Sequence, residues 1–418
     1  MSKLSQLAES LIGSEIVKLG NEISKRVQQG EKIYNYTIGD FDPAIFPIPA
    51  RLEELIIQYY QEKYTNYPPA DGLAELRNAI AGVIRRNSGV SYADNEVLVA
   101  SGGRPLIYAL FKTIVDADDK VIYAVPSWNN NHYTGMNHGI HCMIEAFPEN
   151  NFMPTAADIR PHIAGATLLC LCTPQNPTGT TLTKETLEGI CDMVLEENRR
   201  RGSDSKKLYV MFDQMYSVLT YNGIEHYSPV ALRPEMKQYT IFIDGISKSF
   251  AATGVRVGWS LGPAHVLGKM KALMSHIGAW APMAEQKATA VFLTEDAVVD
   301  AYLDHFKKEL QERLETIHAG FMALKAKGYA VDCIAPQAAI YLTIKLDLAG
   351  KEANGHKLAA QKDVTEYILD KAKLAVVPFH AFGAGSNSPW YRMSVGTCDK
   401  AEIPAMFGLL EQALAALK

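Results

Sequence analysis

Lys248 is the residue of this chain that is best placed to act as a nucleophile. It follows the apolar run Tyr239–Ile243, and Arg256 lies eight positions further on. The low dielectric at the end of a buried strand and a nearby guanidinium both disfavour the ammonium form, and a neutral amine condenses with an aldehyde. The fixed fork of Arg256 suits a phosphate. An aldehyde that carries a phosphate is the chemical description of pyridoxal phosphate.

Three further side chains that such a cofactor needs follow apolar runs elsewhere in the chain. Asn176 lies in an Asn-Pro-Thr-Gly segment after Leu168–Cys172, and Asp213 and Tyr216 form an Asp-x-x-Tyr segment after Leu208–Met211. Ligands of open α/β sheets bind beyond the carboxyl ends of the strands. An amide, a carboxylate and a phenol at such ends are therefore predicted to converge on one ligand.

The order of these motifs carries a family resemblance. Asn-Pro-Thr-Gly, then Asp-x-x-Tyr, then Ser-Lys with an Arg eight positions on, resembles the fold type I pyridoxal-phosphate enzymes, and looks most like the class I/II aminotransferases. The resemblance extends from Gly39 to Arg392. It implies pyridoxal 5'-phosphate as cofactor, held by Lys248 as a Schiff base. The implied reaction moves an amino group from an L-amino acid, with aspartate or another acidic donor as a candidate, to a 2-oxo acid such as 2-oxoglutarate.

A glycine-rich turn and a tryptophan are predicted to extend the cofactor site from two other strand ends. Gly102 and Gly103 follow the strand Glu96–Ala100 and open a helix, where backbone N–H groups approach an anion and the helix dipole favours its charge. The resemblance assigns this turn, with Arg104, to the cofactor phosphate. Trp128 follows the next strand, and its flat face suits stacking on a pyridine ring, as the family's aromatic residue does at this position.

The remaining cofactor contacts each have an expected chemical role. A carboxylate at Asp213 beside the pyridine nitrogen keeps that nitrogen protonated, which makes the ring an electron sink. The resemblance gives Asn176 and Tyr216 hydrogen bonds to the ring's phenolic oxygen. Many family members place a serine three residues before the lysine as a phosphate contact, whereas this chain has Gly245. That contact is either lost or taken over by Ser247.

The substrate's α-carboxylate is expected to bind residues from outside the large domain. Arg392, in a Trp-Tyr-Arg-Met-Ser-Val-Gly segment, resembles the family's arginine that clamps this carboxylate bidentately. Gly39 matches a glycine whose backbone meets the same group, and Trp128 and Asn176 are also expected to contact substrate. Tyr67 lies in a Tyr-x-Pro-x-x-Gly segment. The family's tyrosine reaches the phosphate of the neighbouring subunit, which implies a homodimer with shared active sites.

Length, charge and composition are those of an ordinary globular protein. The chain has 418 residues, of which 48% are hydrophobic and 21% charged, enough for two or three domains. A net charge of −5 argues against a nucleic-acid or anionic membrane surface, and no apolar stretch is long enough to span a bilayer. The six cysteines include no Cys-x-x-Cys pair, and the start lacks a signal-peptide core. We expect a cytoplasmic protein without nucleic-acid, membrane or metal partners.

The order of predicted elements indicates an α/β fold. Between residues 72 and 275 apolar strands alternate with amphipathic helices, which predicts a mostly parallel, helix-covered sheet, here of the seven-stranded type. A long amphipathic helix over 301–327 and further strand-like runs mark a smaller α/β domain. We divide the chain into an N-terminal arm with part of the small domain at 1–50, a large cofactor-binding domain at 51–300 and a small C-terminal domain at 301–418.

Two other functions use the same motifs. A lyase or decarboxylase on this fold, such as a carbon–sulfur β-lyase, would need the same cofactor residues. A non-enzymatic regulator with an aminotransferase-like domain would carry a DNA-binding module ahead of that domain. Only 38 residues precede Gly39, which is short for such a module with its linker, and both Lys248 and Arg392 are present.

The sequence gives two opposing indications about which amino acid is the donor. Arg104 occupies a position where some acid-specific relatives carry a basic residue, so it is predicted either to meet the distal carboxylate of an acidic donor or to serve the phosphate turn. Trp280 and Met283 lie in a segment that would close the pocket around an aromatic or long apolar donor instead.

Two finer expectations concern geometry. The bonds Val125–Pro126 and Asn176–Pro177 are predicted to be cis, because relatives often hold them so and proline lowers the cost. His132 follows Trp128 by four positions, which departs by one from the spacing at which some relatives place a histidine behind the aspartate. It is therefore either that orienting residue or an ordinary polar histidine.

Overall fold

The computed structural model describes residues 4–11, 13, 15–353 and 355–418. Part of the predicted N-terminal arm, including Ile12, lies outside these residues. The helices are, in chain order, α1 Gln6–Ser10, α2 Glu15–Gln28, α3 Ala50–Gln61, α4 Ala74–Ser88, α5 Gly103–Ile114, α6 Asn130–Met136, α7 Ala156–Ile159, α8 Lys184–Arg200, α9 Pro229–Leu232, α10 Ile246–Ser249, α11 Ala264–Ile277, α12 Met283–Phe292, α13 Asp296–Ala326, α14 Gln361–Ala372 and α15 Ile403–Ala415.

The strands are short and mostly buried. In chain order they are β1 Tyr34–Asn35, β2 Val97–Ala100, β3 Lys120–Val125, β4 Ile140–Glu145, β5 Ala166–Cys172, β6 Tyr209–Asp213, β7 Thr240–Gly245, β8 Gly258–Leu261, β9 Val331–Cys333, β10 Tyr341–Leu346, β11 Glu352–Ala353, β12 His356–Lys357, β13 Leu374–Ala375, β14 Val377–Pro378 and β15 Trp390–Ser394. Every residue of β2, β7 and β8 is buried, as expected for strands that are covered on both faces.

The large sheet has seven strands in the order β2-β8-β7-β6-β5-β3-β4. Strand β8 runs antiparallel to both of its neighbours, β2 and β7, and the other pairs are parallel. The strands β2, β3, β5, β6 and β7 therefore point the same way, and their carboxyl ends share one edge of the sheet. The predicted α/β fold with a large, mostly parallel, seven-stranded sheet is confirmed.

The two faces of this sheet carry separate apolar cores, because successive side chains of a strand point to opposite faces. On one face Phe212 and Phe242 pack with residues of α4 and α8. On the other face Met211 and Ile243 pack with residues of α5 and α11, among them Leu106. We call these the α4/α8 face and the α5/α11 face.

The chain divides into two compact units. The larger unit comprises Asp42–Glu309 with Gln337–Ala339, and the smaller comprises the chain up to Phe41 with Leu310–Pro336 and Ile340–Lys418. The sequence pattern places the corresponding changes near residues 50 and 300. The smaller unit contains an antiparallel sheet in the order β14-β15-β10-β9, and α14 and α15 belong to the same unit.

No helix among the described residues is long and apolar enough to cross a membrane. The long helix α13 is amphipathic rather than uniformly apolar, with Phe306, Leu310 and Leu314 buried. It begins five residues before, and ends one residue before, the range 301–327 that its spacing predicts.

Gly258 at the start of β8 generates a prediction about stability. A Cβ atom there would lie 2.6 Å from the backbone carbon of Gly102, so the neighbouring turn would have to move. We expect Gly258→Ala to lower the free energy of unfolding by about 2 kcal/mol, the usual cost of forcing extra volume into a packed interior. Denaturant unfolding followed by circular dichroism measures this loss.

Gly268 is the matched control for that substitution. It lies on the exposed side of α11, and a Cβ atom there would have nothing within 4 Å. We expect Gly268→Ala to raise stability by about 0.5–1 kcal/mol, because alanine loses less backbone entropy in a helix. Equal effects of the two substitutions would contradict the packing argument.

Candidate active site

Five strand ends bring candidate residues to one edge of the large sheet. Asp213 is the last residue of β6, and Lys248 lies in the single turn of α10 directly after β7. Asn176 follows β5, Trp128 follows β3, and Gly102 follows β2. Because these strands are parallel to one another, their ends meet where open α/β sheets bind ligands.

The turn after β2 forms a cradle with Arg256. Gly102 has a φ of 94°, a conformation that favours glycine, and a Cβ atom there would overlap the Arg256 guanidinium. The Nη2 and Nη1 groups of Arg256 donate to the carbonyls of Ser101 and Thr253, each at 2.7 Å. The first turn of α5 and a fixed guanidinium thus lie side by side. This arrangement suits a phosphate group.

Arg256 itself adopts a left-handed backbone conformation, with a φ of 63°. Such a conformation is uncommon for a residue other than glycine and costs of order 1 kcal/mol or more. Its two hydrogen bonds to backbone carbonyls fix the guanidinium despite that cost. The unfavourable backbone conformation is therefore tolerated at a residue whose guanidinium is held in one position.

Asp213 supplies a half-buried carboxylate at the centre of the edge. Burial raises its pKa to about 6, and the backbone N–H of Met215, which donates to Oδ1 at 3.1 Å, acts in the opposite direction. A cation held next to this side chain would favour its ionised form. The protonated nitrogen of a pyridine ring is such a cation, so the site fits the role expected of Asp213.

Tyr133 is a neighbour of this carboxylate that the sequence pattern missed. Its side chain is buried, and burial, with the negative charge of Asp213, raises its pKa, while Arg104 acts in the opposite direction. Tyr133 follows His132 directly in the chain, but the sequence motifs did not mark it as a site residue. The role of His132 behind the aspartate stays a prediction.

Arg104 lies over Trp128. The guanidinium carbon is 4.7 Å from the centroid of the indole ring, within the range of a cation–π contact. Arg104 is exposed to solvent, whereas Trp128 is half-buried. The contact places the charge of Arg104 beside the aromatic face that is expected to cover the cofactor.

Both predicted cis peptide bonds are confirmed, at Val125–Pro126 and Asn176–Pro177. A third cis bond, Thr173–Pro174, was not predicted. The buried amide of Gln175 links the loops, because its Nε2 donates to the carbonyl of Pro126 at 2.8 Å. The loops after β3 and β5 are therefore held together by a specific contact.

The structure gives a physical reason for glycine at position 245. A Cβ atom there would lie 2.8 Å from the carbonyl oxygen of Val257 and 2.8 Å from Cα of Gly258. A serine at this position would collide with strand β8. Ser247, two residues on, is buried in the same turn as Lys248, and Tyr216 is also buried, after the end of β6.

The smaller unit contains a second group, built around Arg392 of β15. This arginine is 2% exposed and its Nη2 donates to the carbonyl of Thr37 at 2.6 Å. Its guanidinium carbon lies 4.8 Å from the ring centroid of Tyr341 and 5.0 Å from that of Phe382. Two aromatic faces and one carbonyl thus hold the guanidinium in a defined plane.

Gly39 leaves space beside this guanidinium. A Cβ atom at Gly39 would lie 3.4 Å from Nη1 of Arg392 and 2.9 Å from the hydroxyl of Tyr341. Any side chain here would press on the arginine. Because Gly39 has no side chain, its backbone can approach a ligand that is held by Arg392.

Tyr67 lies on the surface of the larger unit. It is 83% exposed, and its ring meets that of Trp280 edge to face at 5.3 Å. Met283, the other residue that the sequence connected with the donor pocket, is the first residue of α12 and is half-buried. Within this single chain Tyr67 and Trp280 form a surface pair.

Comparison with known proteins agrees with this geometry. The model of the family "Aminotransferase class I and II" matches residues 32–407. The aspartate aminotransferase of Bacillus sp. (strain YM-2) is 30% identical over 392 residues, which cover 92% of this chain and 93% of the relative. The aspartate/prephenate aminotransferase of Thermus thermophilus is 29% identical over 391 residues, with 92% of this chain and 93% of the relative covered.

Solved structures give the same answer for the fold. The aspartate aminotransferase of Rhizobium meliloti superimposes with a TM-score of 0.91 at 24% identity, with 100% of both chains covered. That of Thermus thermophilus with maleate superimposes with a TM-score of 0.87 at 26% identity, covering 99% of this chain and 100% of the other. The expected family and transaminase activity are confirmed by these matches. The protein is an aminotransferase of the class I and II family.

Proposed function

We propose that this aminotransferase binds pyridoxal 5'-phosphate at the shared edge of the large sheet and transfers the amino group of aspartate to 2-oxoglutarate. The observation that carries the cofactor proposal is the meeting of Asp213, Lys248 and the Gly102–Arg256 cradle at that edge. Aspartate is favoured because it is the substrate in the names of the Bacillus and Thermus relatives.

The residues present fit the cofactor group by group. Gly102, Gly103, Ser247 and Arg256 would hold its phosphate, and Asp213 would hold its ring nitrogen in the protonated form. When bound, the cofactor supplies an aldehyde and a ring that withdraws electrons from the bonds of the amino acid.

The remaining contacts would orient the ring. Asn176 and Tyr216 would donate to the phenolic oxygen, and Trp128 would cover one face of the ring. Trp128 is itself covered by Arg104 at 4.7 Å, so its plane is restrained. A fixed ring plane matters because the reacting bond must stay aligned with the electron-withdrawing system.

Lys248 would act at two stages. Its Nζ would first anchor the cofactor through the aldehyde. As a free amine, the same Nζ would take the proton from the substrate α-carbon as a general base and would give that proton up again as a general acid. Its position in a one-turn helix at the end of β7 keeps this amine at the strand edge.

Arg392 would clamp the α-carboxylate of the substrate. A guanidinium restrained by Tyr341, Phe382 and the carbonyl of Thr37 presents its donors in a fixed plane, which suits bidentate binding of a carboxylate. The backbone of Gly39 would contact the same group. Trp128 and Asn176 are proposed as further substrate contacts.

The proposal includes a homodimer in which Tyr67 contacts the phosphate bound by the neighbouring subunit. It is supported by exposed apolar residues on the larger unit, since Ile57, Tyr60, Tyr67 and Ile277 are each at least 45% exposed, and such residues mark interfaces when they form a patch. We also propose a cytoplasmic location, because all six cysteines are free thiols, which suits a reducing compartment.

Lys248 can be tested directly as the cofactor's anchor. We expect borohydride to fix the cofactor on the peptide that contains Lys248, and Lys248→Ala to abolish transfer from aspartate to 2-oxoglutarate while cofactor still binds noncovalently. Lys269→Ala, on the exposed side of α11, is the control and should keep full turnover. Label on another lysine would refute the assignment, and release of ammonia without amino transfer would indicate a lyase.

Asp213→Asn tests the electrostatic role of the half-buried carboxylate. The amide keeps the shape of the side chain but cannot stabilise a cationic ring nitrogen comparably, so we expect kcat to fall roughly 10²–10³-fold, as for loss of one preorganised electrostatic contact. Cofactor content, read from absorbance, should fall much less. Near-normal turnover of this variant would reject the role.

Arg104→Gln tests the choice of donor. If the guanidinium meets the distal carboxylate, kcat/KM for aspartate should fall more than tenfold, while a neutral donor such as alanine should change little, because the charge-assisted pair is lost only for the acid. Arg104→Lys keeps a positive charge and should retain more of the aspartate activity. Equal losses for both donors would show that Arg104 serves the cofactor.

A further inference from the structure

The larger unit contains a cavity of about 900 Å³ on the α4/α8 face of the sheet. It is bounded by α4, by the first half of α13, by residues 217–228 and by the strands β7 and β8. Asp213 and Lys248 do not line it. Its volume lies within the range of roughly 300–1,000 Å³ that is typical of small-molecule sites.

A row of polar side chains crosses the sheet on the wall of this cavity. Asp244 of β7 and Trp259 of β8 are paired residues in the antiparallel register, so their side chains share one face. Gln214, next to the end of β6, donates from Nε2 to Oδ2 of Asp244 at 2.9 Å. All three residues line the cavity and all three are buried.

Burial of the Asp244 carboxylate is energetically unfavourable. Burial raises the pKa of its carboxyl to about 7, against the opposing effect of Gln214 and of the backbone N–H of Gly245, which donates to Oδ1 at 2.7 Å. A buried carboxylate gains stability from each further donor that reaches it. A ligand hydroxyl in the cavity would be such a donor.

Two buried ring nitrogens of the lining lack partners among the residues that the structure describes. One is Nε1 of Trp259, on a side chain that is 6% exposed, and the other is Nδ1 of His226. The Nε2 of His226 lies 3.4 Å from Oε1 of Gln214. Indole Nε1 is a donor only, and a buried donor without an acceptor is destabilising.

The other walls of the cavity are largely apolar and aromatic. Tyr92, Phe242 and Phe250 present rings, and Ile80 and Leu303 present aliphatic side chains. Charged residues that are exposed to solvent, among them Arg86, Glu225 and Asp296, also line it. The cavity therefore reaches the surface at a charged mouth and ends in an aromatic chamber with a polar wall.

We propose that this cavity is a second ligand site, separate from the cofactor site, and that it takes a small neutral phenol. The ring would pack among the aromatic walls. The phenolic oxygen would accept a hydrogen bond from Nε1 of Trp259, and the phenolic O–H would donate a hydrogen bond to the carboxylate of Asp244. A hydroxyl satisfies both groups at once because it is donor and acceptor together, whereas an ammonium group, which only donates, or a carbonyl, which only accepts, satisfies one.

Calorimetric titration of the full-length holoenzyme with p-cresol and p-xylene tests the proposal. The two probes differ only by the exchange of a hydroxyl for a methyl group. We expect p-cresol to bind with 1:1 stoichiometry and at least tenfold more tightly than p-xylene. No binding of p-cresol up to 10 mM, roughly the weakest affinity expected of so small a ligand, or equal affinities for both, would overturn the proposal.

Three substitutions assign the binding to this cavity. Trp259→Phe removes the indole donor and Asp244→Asn replaces the carboxylate by an amide of the same shape, and each should weaken p-cresol binding about fivefold, the value of one hydrogen bond. Trp280→Phe is the matched control, because Trp280 also has a buried Nε1 without a partner among the described residues but does not line the cavity. It should leave the affinity unchanged.

A competition experiment separates this site from the active site. The p-cresol titration is repeated with saturating 2-oxoglutarate, which occupies the substrate site of the holoenzyme. Unchanged affinity supports a separate site. Loss of p-cresol binding in the presence of 2-oxoglutarate, or unchanged affinity in both the Trp259→Phe and Asp244→Asn variants, would place the ligand elsewhere and overturn the proposal.

Discussion

The close approach of β8 to the turn after β2 is the constraint on which the cofactor edge depends. Gly258 packs against the backbone of Gly102 without room for a side chain, and Gly102 in turn packs against the guanidinium of Arg256. Gly245 meets β8 from the other side, again without room for a Cβ atom. The absence of side chains at Gly102, Gly245 and Gly258 thus allows the ends of three strands to lie close together. The phosphate cradle depends on this close approach.

The charged side chains at that edge are held in defined positions. Arg256 is fixed by backbone carbonyls, and Asp213 is half-buried, with a raised pKa that a cationic ligand would lower. Both groups are held before a ligand arrives, so binding needs little rearrangement of charge. The same strands carry a second set of polar residues, led by Asp244, on their opposite face. Because successive side chains along β6 and β7 point to opposite sides of the sheet, its two faces differ in chemistry.

Much of this was determined by the sequence alone. Apolar runs followed by polar motifs predicted the parallel sheet and the edge that gathers Lys248, Asp213 and Asn176, because the ends of parallel strands must meet. The two cis bonds at Pro126 and Pro177 were predicted from the resemblance. These inferences succeed because they depend on local residue types and their order along the chain, which folding cannot rearrange.

The tertiary structure decided what depends on distance between remote segments. It placed Tyr133 near the charge of Asp213, and it showed that β8 leaves no space for a serine at position 245. It stacked Arg104 on Trp128 and shaped the cavity beside Asp244. None of these follows from the sequence pattern, because a side chain's neighbours across a sheet are set by register and packing, which single-strand periodicity does not encode.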